Sequence, residues 1–134
     1  MKRTSVILAA AVVVCVMALF ARADAQAPTP FKRTVLQQGD LSAPGREAVM
    51  ALAEVQPGGA SGRHTHPGEE VAYVLAGPFV LEIDGKPART LQTGEVFLIP
   101  AGTIHNARNA GTGVAKVVAT FVIEKGKPLA TPIQ

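Results

Sequence analysis

The sequence contains a single cysteine, Cys15, among its 134 residues. This cysteine lies inside an apolar run near the N-terminus. Val14 before it is bulkier than the small residue that a lipoprotein cleavage site prefers, which argues against a lipid anchor. One cysteine cannot form a disulfide within the chain. If the N-terminal run is removed, a thiolate metal ligand is excluded as well.

Long helical patterns and clusters of basic residues are also missing. No stretch combines helix caps with an apolar period of 3.6 residues over a sufficient length, whereas short strand-like runs recur along the chain. The 13 Lys and Arg residues do not form a patch interleaved with aromatic residues, which make up only 4% of the chain. These absences predict an all-β domain and argue against a nucleic-acid partner.

The first 25 residues have the pattern of a secretory signal peptide. Lys2 and Arg3 give a positive start, residues 6–20 form the apolar segment, and a small-x-small cleavage site ends at Ala25, with an alternative ending at Ala23. An uncleaved anchor is the other interpretation, but the run is shorter than the roughly 20 apolar residues that span a bilayer. Cleavage lowers the formal net charge from +3 to about +1. We therefore expect a periplasmic or secreted protein without a stable membrane anchor.

Proline and glycine divide the rest of the chain into segments. We interpret residues 26–45 as a linker and N-terminal arm, residues 46–124 as the folded domain, and residues 125–134 as a C-terminal tail. Residues 31–38 are either an extended arm or a short edge strand. Asp84-Gly85 predicts a type I′ hairpin turn.

Two of the three histidines lie in one stretch, residues 58–77. His64 and His66 are two residues apart, so on an extended strand both imidazoles project from the same face. A Pro-Gly pair then breaks the strand, and Glu70 lies at the start of the next strand-like run. Two imidazoles and a carboxylate at such a corner are suitable ligands for a metal ion.

The third histidine, His105, lies in a second stretch where a strand runs into a Pro/Gly turn. Together the two stretches resemble the two motifs of the cupin superfamily, as found in small single-domain bacterial cupins. The first motif is matched by Gly58, His64, His66, Glu70 and Gly77, and the second by Gly94, Pro100, Gly102, His105 and Asn109. Every defining position of both motifs is occupied.

The resemblance implies an all-β, single-domain cupin jelly-roll barrel of about eight strands in two packed antiparallel sheets. It also implies a metal site whose ligands are His64, His66, Glu70 and His105. Glu70 has the family's spacing, and its neighbour Glu69 is interpreted as solvated. Three imidazoles and a carboxylate suit a divalent transition metal (Mn, Fe, Ni, Cu or Zn). Because N-terminal arms in cupins commonly pair with a second subunit, a homodimer is an open expectation.

Three functions are compatible with this pattern. The first is a metal-dependent oxidoreductase, dioxygenase-like or oxalate-handling, that acts on a small oxygen-rich substrate at the open positions of the ion. The second is a non-catalytic module of the periplasm that binds a metal or small ligand. The third is a purely structural barrel, which conflicts with the intact ligand set. No lysine or spare histidine is placed as a general base, so we assign no catalytic residue.

Overall fold

The computed structural model describes residues 30–134. The predicted signal peptide, residues 1–25, lies outside the described residues. The described chain is built of strands without helices. The ten strands are β1 (Phe31–Asp40), β2 (Arg46–Val55), β3 (His64–Thr65), β4 (Glu69–Ala76), β5 (Phe79–Ile83), β6 (Arg89–Leu91), β7 (Val96–Ile99), β8 (His105–Arg108), β9 (Ala115–Glu124) and β10 (Thr131–Pro132). Within residues 30–134, no helix occurs that has the length and apolar character to cross a bilayer.

The strands form two antiparallel sheets of five strands each. The first sheet has the order β1-β2-β9-β4-β7, and the second has the order β10-β3-β8-β5-β6. The non-consecutive neighbours show that the chain crosses repeatedly between the two sheets, as in a jelly roll. The predicted all-β jelly roll is confirmed. The described part has ten strands where about eight were expected, and two of them, β3 and β10, are only two residues long.

Alternation of apolar and polar residues creates the core between the sheets. Along β9, every second side chain from Ala115 to Ile123 is buried, and the residues between them are partly exposed. Because successive side chains of a strand point to opposite faces, this pattern places one face of β9 against the second sheet. Phe121, Leu81 and Ile99 are among the large side chains with almost no exposure. Each such side chain contributes about 1.5–3 kcal/mol through burial.

Both ends of the described chain are incorporated into the sheets. Residues 31–38, for which arm and edge strand were both open, belong to β1, which pairs with β2 of the same chain along its length. At the other end, β10 pairs with β3, so that Thr131 lies opposite Thr65 and Pro132 opposite His64. The segment interpreted as a tail therefore contributes a strand beside the histidines.

The turn at Asp84-Gly85 differs from the prediction. It is closed by a hydrogen bond from the Lys86 amide to the Ile83 carbonyl, 3.0 Å long, and Gly85 has a φ of 75°. A type I′ turn needs positive φ at both central residues. In the described chain no residue other than glycine has a positive φ, so Asp84 does not, and the type I′ prediction is wrong.

The solvent-facing side of the first sheet is unusually apolar. The strand register places two rows of residues across β2, β9, β4 and β7: Met50, Thr120, Val71 and Leu98 in one row, and Leu52, Val118, Tyr73 and Val96 in the next. These eight residues are called the outer apolar face. Its members on β4 and β7 are 45–62% exposed, and none of the eight is charged.

Candidate metal centre

The four predicted ligands come from both sheets and meet inside the barrel. His64 is in β3 and pairs directly with His105 at the start of β8, so two residues 41 positions apart are neighbours in the second sheet. His66 follows β3, and Glu70 is in β4 of the first sheet. All four side chains are buried, with residue exposures of 2–7%. Burying four ionisable groups together costs free energy unless the groups bind one another or a ligand.

The distances between the four groups are those of a coordination site. The histidines present ligand atoms that all lie within 4.8 Å of one another. Glu70 Oε2 is 3.2 Å from His66 Nε2 and 3.3 Å from His105 Nε2. With metal–ligand bonds of about 2.1 Å, neighbouring ligand atoms are separated by about 3.0–3.4 Å. The two measured separations fall in this range.

Backbone carbonyls orient all three imidazoles in the same way. His64 Nδ1 donates to the Gly62 carbonyl at 2.8 Å, and His105 Nδ1 donates to the Thr103 carbonyl at 2.9 Å. His66 Nδ1 donates to the Leu129 carbonyl at 2.5 Å. A carbonyl oxygen only accepts, so each Nδ1 carries the proton and each neutral ring keeps its lone pair on Nε2. This is the arrangement in which a histidine is ready to bind a metal ion.

Two buried atoms at the centre are left without a hydrogen-bond partner. They are His66 Nε2 and Glu70 Oε2, whose lone pairs face each other across 3.2 Å. Two facing lone pairs in a buried site repel unless a cation or a proton lies between them. A divalent ion would satisfy both atoms. The residues present therefore fit a metal with nitrogen and oxygen ligands.

The surroundings shift the pKa values of two of the predicted ligands, His64 and Glu70. Burial lowers the pKa of His64 to about 4; the Gly62 carbonyl opposes this shift and the neighbouring His105, His66 and Arg33 reinforce it. Burial tends to raise the pKa of Glu70, but in the metal-free site hydrogen bonds in which His105 and His66 share a proton with the carboxylate outweigh it and hold the pKa at about 2. At neutral pH the site thus contains a neutral His64 and an ionised Glu70.

A narrow cavity adjoins the site. Its polar lining in the described chain consists of Arg33, His64, Glu70 and His105, and its apolar lining includes Phe79, Phe97 and Phe121. The part of the cavity that the centre of a water molecule can reach has a volume of about 30 Å³. Such a space admits a ligand of a few heavy atoms and excludes a large one.

Arg33 is the lining residue that sequence reasoning missed. The residue lies outside both motifs, in the segment interpreted as an arm. One signal was present: Phe31 and Arg33 are two apart, so if the segment is a strand, Arg33 shares the inward face of an aromatic residue. The Leu129 carbonyl, which orients His66, was not foreseen either.

Other residues of the two motifs shape turns or form hydrogen bonds with the backbone. Gly58, Gly94 and Gly102 have positive φ values, in agreement with their interpretation as turn residues. The Asn109 side chain donates to the carbonyls of Val55 and Gly113 and accepts from the Gly111 amide, so its hydrogen bonds go to the backbone of its turn and its neighbours. Asn109 thereby ties the end of β2 to the loop before β9.

Two aromatic residues that could have lined a pocket have different positions. Phe97 is buried and lines the cavity, stacked at 5.8 Å on Phe79. Tyr73 is 45% exposed on the outer apolar face and does not reach the cavity. Arg63, which precedes His64, is half exposed and forms an ion pair with Asp84.

Comparison with known proteins gives related chains. Germin-like protein 1-1 of Oryza sativa subsp. japonica is 38% identical over 77 residues, which cover 54% of this chain and 36% of the relative. Protein SchB of Streptomyces halstedii is 41% identical over 70 residues, covering 52% of this chain and 50% of the relative. The chain thus spans between about a third and a half of the length of these relatives.

A solved structure of an oxalate oxidase in complex with the substrate analogue glycolate is similar in fold. It has a TM-score of 0.64 at 25% identity, covering 81% of this chain and 57% of that chain. The family profile described as the cupin domain matches residues 51–123, more than half of the sequence. This segment contains all four predicted ligands. The chain, a two-sheet barrel with three histidines clustered inside it, therefore belongs to the cupin family.

Proposed function

We propose that this protein binds a divalent transition metal through His64, His66, Glu70 and His105 and acts as an oxidoreductase on a small oxygen-rich substrate. The observation that carries the proposal is the cluster of three buried histidines, with the Glu70 carboxylate within 3.3 Å of two of them and no hydrogen-bond partner for His66 Nε2 or Glu70 Oε2. The similarity to germin-like protein and to an oxalate oxidase bound to glycolate supports the reaction class. Which of Mn, Fe, Ni, Cu or Zn is bound stays open.

The residues of the chain would prepare the site for this chemistry. When bound, the ion would supply Lewis acidity and, if it is redox-active, a route for electrons to dioxygen. Three backbone carbonyls hold the imidazoles so that Nε2 faces inward. Glu70 stays ionised, and the wall formed by Phe79, Phe97 and Phe121 keeps bulk water away. Exclusion of water strengthens the electrostatic interactions inside.

A non-catalytic binding module is the second candidate, and one observation favours it. Among the described residues that line the cavity, the ionisable groups are Arg33 and three of the predicted ligands, His64, Glu70 and His105. Glu70, with a pKa of about 2, accepts protons poorly at neutral pH. A reaction that needs a strong general base would have to obtain it from the substrate or from a bound hydroxide.

We also propose export and the segment boundaries that the sequence indicates. The positive start, apolar segment and small-x-small site of residues 1–25 support a cleaved signal peptide and a periplasmic or secreted location. Residues 26–45 would then run from the cleavage site through β1, which pairs with β2, to the cupin barrel of residues 46–124, and residues 125–134 would follow it with β10.

Finally, we propose that two copies of the chain pair through the outer apolar face. The eight positions carry no charge, so a face-to-face contact buries no unpaired ion. A two-fold axis places the same patch of each copy on the other, which makes the contact self-complementary. Contiguous exposed apolar patches of this kind commonly mark interfaces.

Metal analysis followed by oxygen-uptake assays tests the proposed function. Protein purified from its own compartment should contain about one ion per chain, and oxygen uptake with oxalate, glycolate or a catechol should be lost in His105→Ala. Tight binding of such a ligand without turnover would favour the binding module instead. Absence of metal in the purified protein, with no uptake when Mn, Fe, Ni, Cu or Zn is added back, would reject both metal-dependent functions.

A further inference from the structure

Arg33 occupies a position that joins two spaces. Its side chain lines the inner cavity together with His64, Glu70 and His105. It also lines an outer cleft at the barrel mouth, with Phe31, His64 and the residues around Arg63 and Pro132. In the register of β1 and β2, Arg33 lies opposite Ala53, another cavity residue. The Arg33 side chain is therefore within reach of both the outer cleft and the inner cavity.

Aromatic rings hold this guanidinium in place. Its central carbon lies 5.2 Å from the ring centroid of Phe31 and 5.8 Å from that of Phe121. Contact with two rings restricts the motion of the group and lowers the entropy cost of using its donors. The aromatic rings are not conventional hydrogen-bond acceptors, so they do not use the five N–H groups of the Arg33 guanidinium.

The donors of Arg33 have no acceptor in the described chain. None of the hydrogen bonds or ion pairs found within residues 30–134 involves its guanidinium, whereas Arg63 and Arg108 each bind a carboxylate. Burial lowers the pKa of Arg33, and only the more distant charge of Glu70 opposes the shift. A partly buried cation with unused donors is the complement of an anion.

The surroundings restrict which anion fits. A guanidinium presents two parallel N–H groups that match the two oxygens of a carboxylate. The cavity is narrow and its other walls are apolar, so the rest of the ligand must be short. The charges of the Glu70 carboxylate and the Arg33 guanidinium cancel, so a bound divalent ion gives the site its own net positive charge. A mono- or dicarboxylate ligand offsets this charge.

We propose that Arg33 is the anchor for the carboxylate of a short-chain carboxylic acid bound in the inner cavity. The proposal deepens the proposed function, on which it rests for the identity of the second anchoring point, the metal ion. Arg33 lies outside the segment matched by the cupin profile, residues 51–123, so the anchor would be a property of this chain's N-terminal strand.

The test is calorimetric titration of glycolate and oxalate into the purified protein, with metal content measured on the same samples. Arg33→Met keeps an unbranched apolar side chain of about the length of the arginine stem, but removes the charge and the donors. Arg33→Lys retains the positive charge but lacks the two parallel N–H groups of the guanidinium. Arg89→Met is the matched control because Arg89 is exposed on β6 and its loss changes the net charge equally.

Arg33→Met should raise the Kd for glycolate about tenfold or more, and Arg33→Lys should give an intermediate value. Arg89→Met should change the Kd by less than about twofold. The neutral diol ethylene glycol, which lacks a carboxylate, should show no difference between wild type and Arg33→Met. The metal-to-protein ratio should be the same in all variants.

Several results would overturn the proposal. They are unchanged glycolate affinity in both Arg33 variants, no binding of either acid by the wild type, or an equal loss in Arg89→Met. Loss of metal together with glycolate in both Arg33 variants would instead make Arg33 a support of Glu70. Failure of the metal proposal is distinguishable: wild-type protein without metal that still binds glycolate through Arg33 supports the anchor and contradicts the metal site.

Discussion

Two adjacent glutamates at the start of β4 illustrate how one residue position decides a function. Glu69 is exposed, and Glu70 is buried with its carboxylate 3.2 Å from His66 Nε2. The cause is the alternation of side chains along a strand, since a shift by one residue exchanges the core face for the solvent face. The metal role of Glu70 over Glu69 stays a prediction that the protein can test.

Glu70→Ala should weaken metal binding about 100-fold or more, because a direct ligand matters at least as much as the residues that orient ligands. Glu69→Ala is the matched control and should leave the affinity unchanged, since its side chain points to solvent. Competition titration against a chelator measures both constants. Equal losses of metal affinity in the two variants would mean that the overall negative charge, and not direct coordination by Glu70, holds the ion.

The lowered pKa of His64 leads to a prediction about how the free energy of unfolding depends on pH. Burial lowers its pKa to about 4, so between pH 6.5 and this value the unfolded chain binds a proton that the folded chain does not. In metal-free protein the stabilisation is therefore complete above pH 6.5 and is lost as pH falls towards 4, by at most about 1.4 kcal/mol per pH unit. Urea denaturation after chelation, repeated across this range, measures the slope. His64→Gln should flatten it, and an identical slope in that variant would contradict the assignment.

At the level of elements, the short strands β3 and β10 hold the site together. β10 pairs with β3, the Ile133 amide donates to the Arg63 carbonyl at 2.9 Å, and the Leu129 carbonyl orients His66. A C-terminal segment with two prolines is too short and too irregular to be recognised as a strand from sequence, because its order depends on its partner strand.

Deletion of residues 129–134 should therefore weaken metal binding about 10- to 100-fold, the usual effect of losing the group that orients a ligating histidine. The barrel should remain folded, because the core strands are unchanged. Metal affinity and the far-ultraviolet circular dichroism spectrum measure the two effects. Retention of full affinity after the deletion would show that His66 is oriented without the Leu129 carbonyl.

At the scale of the whole molecule, the outer apolar face leads to a prediction about assembly. Leu98→Lys places a charge on the edge strand β7 of the outer apolar face and should convert the proposed dimer into monomers, while the barrel stays folded. Light scattering after size-exclusion chromatography measures the mass. Lys86→Glu, in an exposed turn outside this face, is the control. A wild-type protein that is monomeric at all accessible concentrations would contradict the dimer and leave the face to a different partner.

Much of this protein can be read from the order of its residues. Glycine and proline impose local backbone geometry, and histidine spacing carries ligand chemistry, so the two motifs were sufficient to predict the jelly roll and the residues that meet inside it. Arg33, the Leu129 carbonyl and the outer apolar face could not be predicted in this way. Each depends on which strands become neighbours, and that choice results from packing between residues far apart in the chain. A sequence pattern indicates that a side chain points inward, whereas the fold alone determines what it meets there.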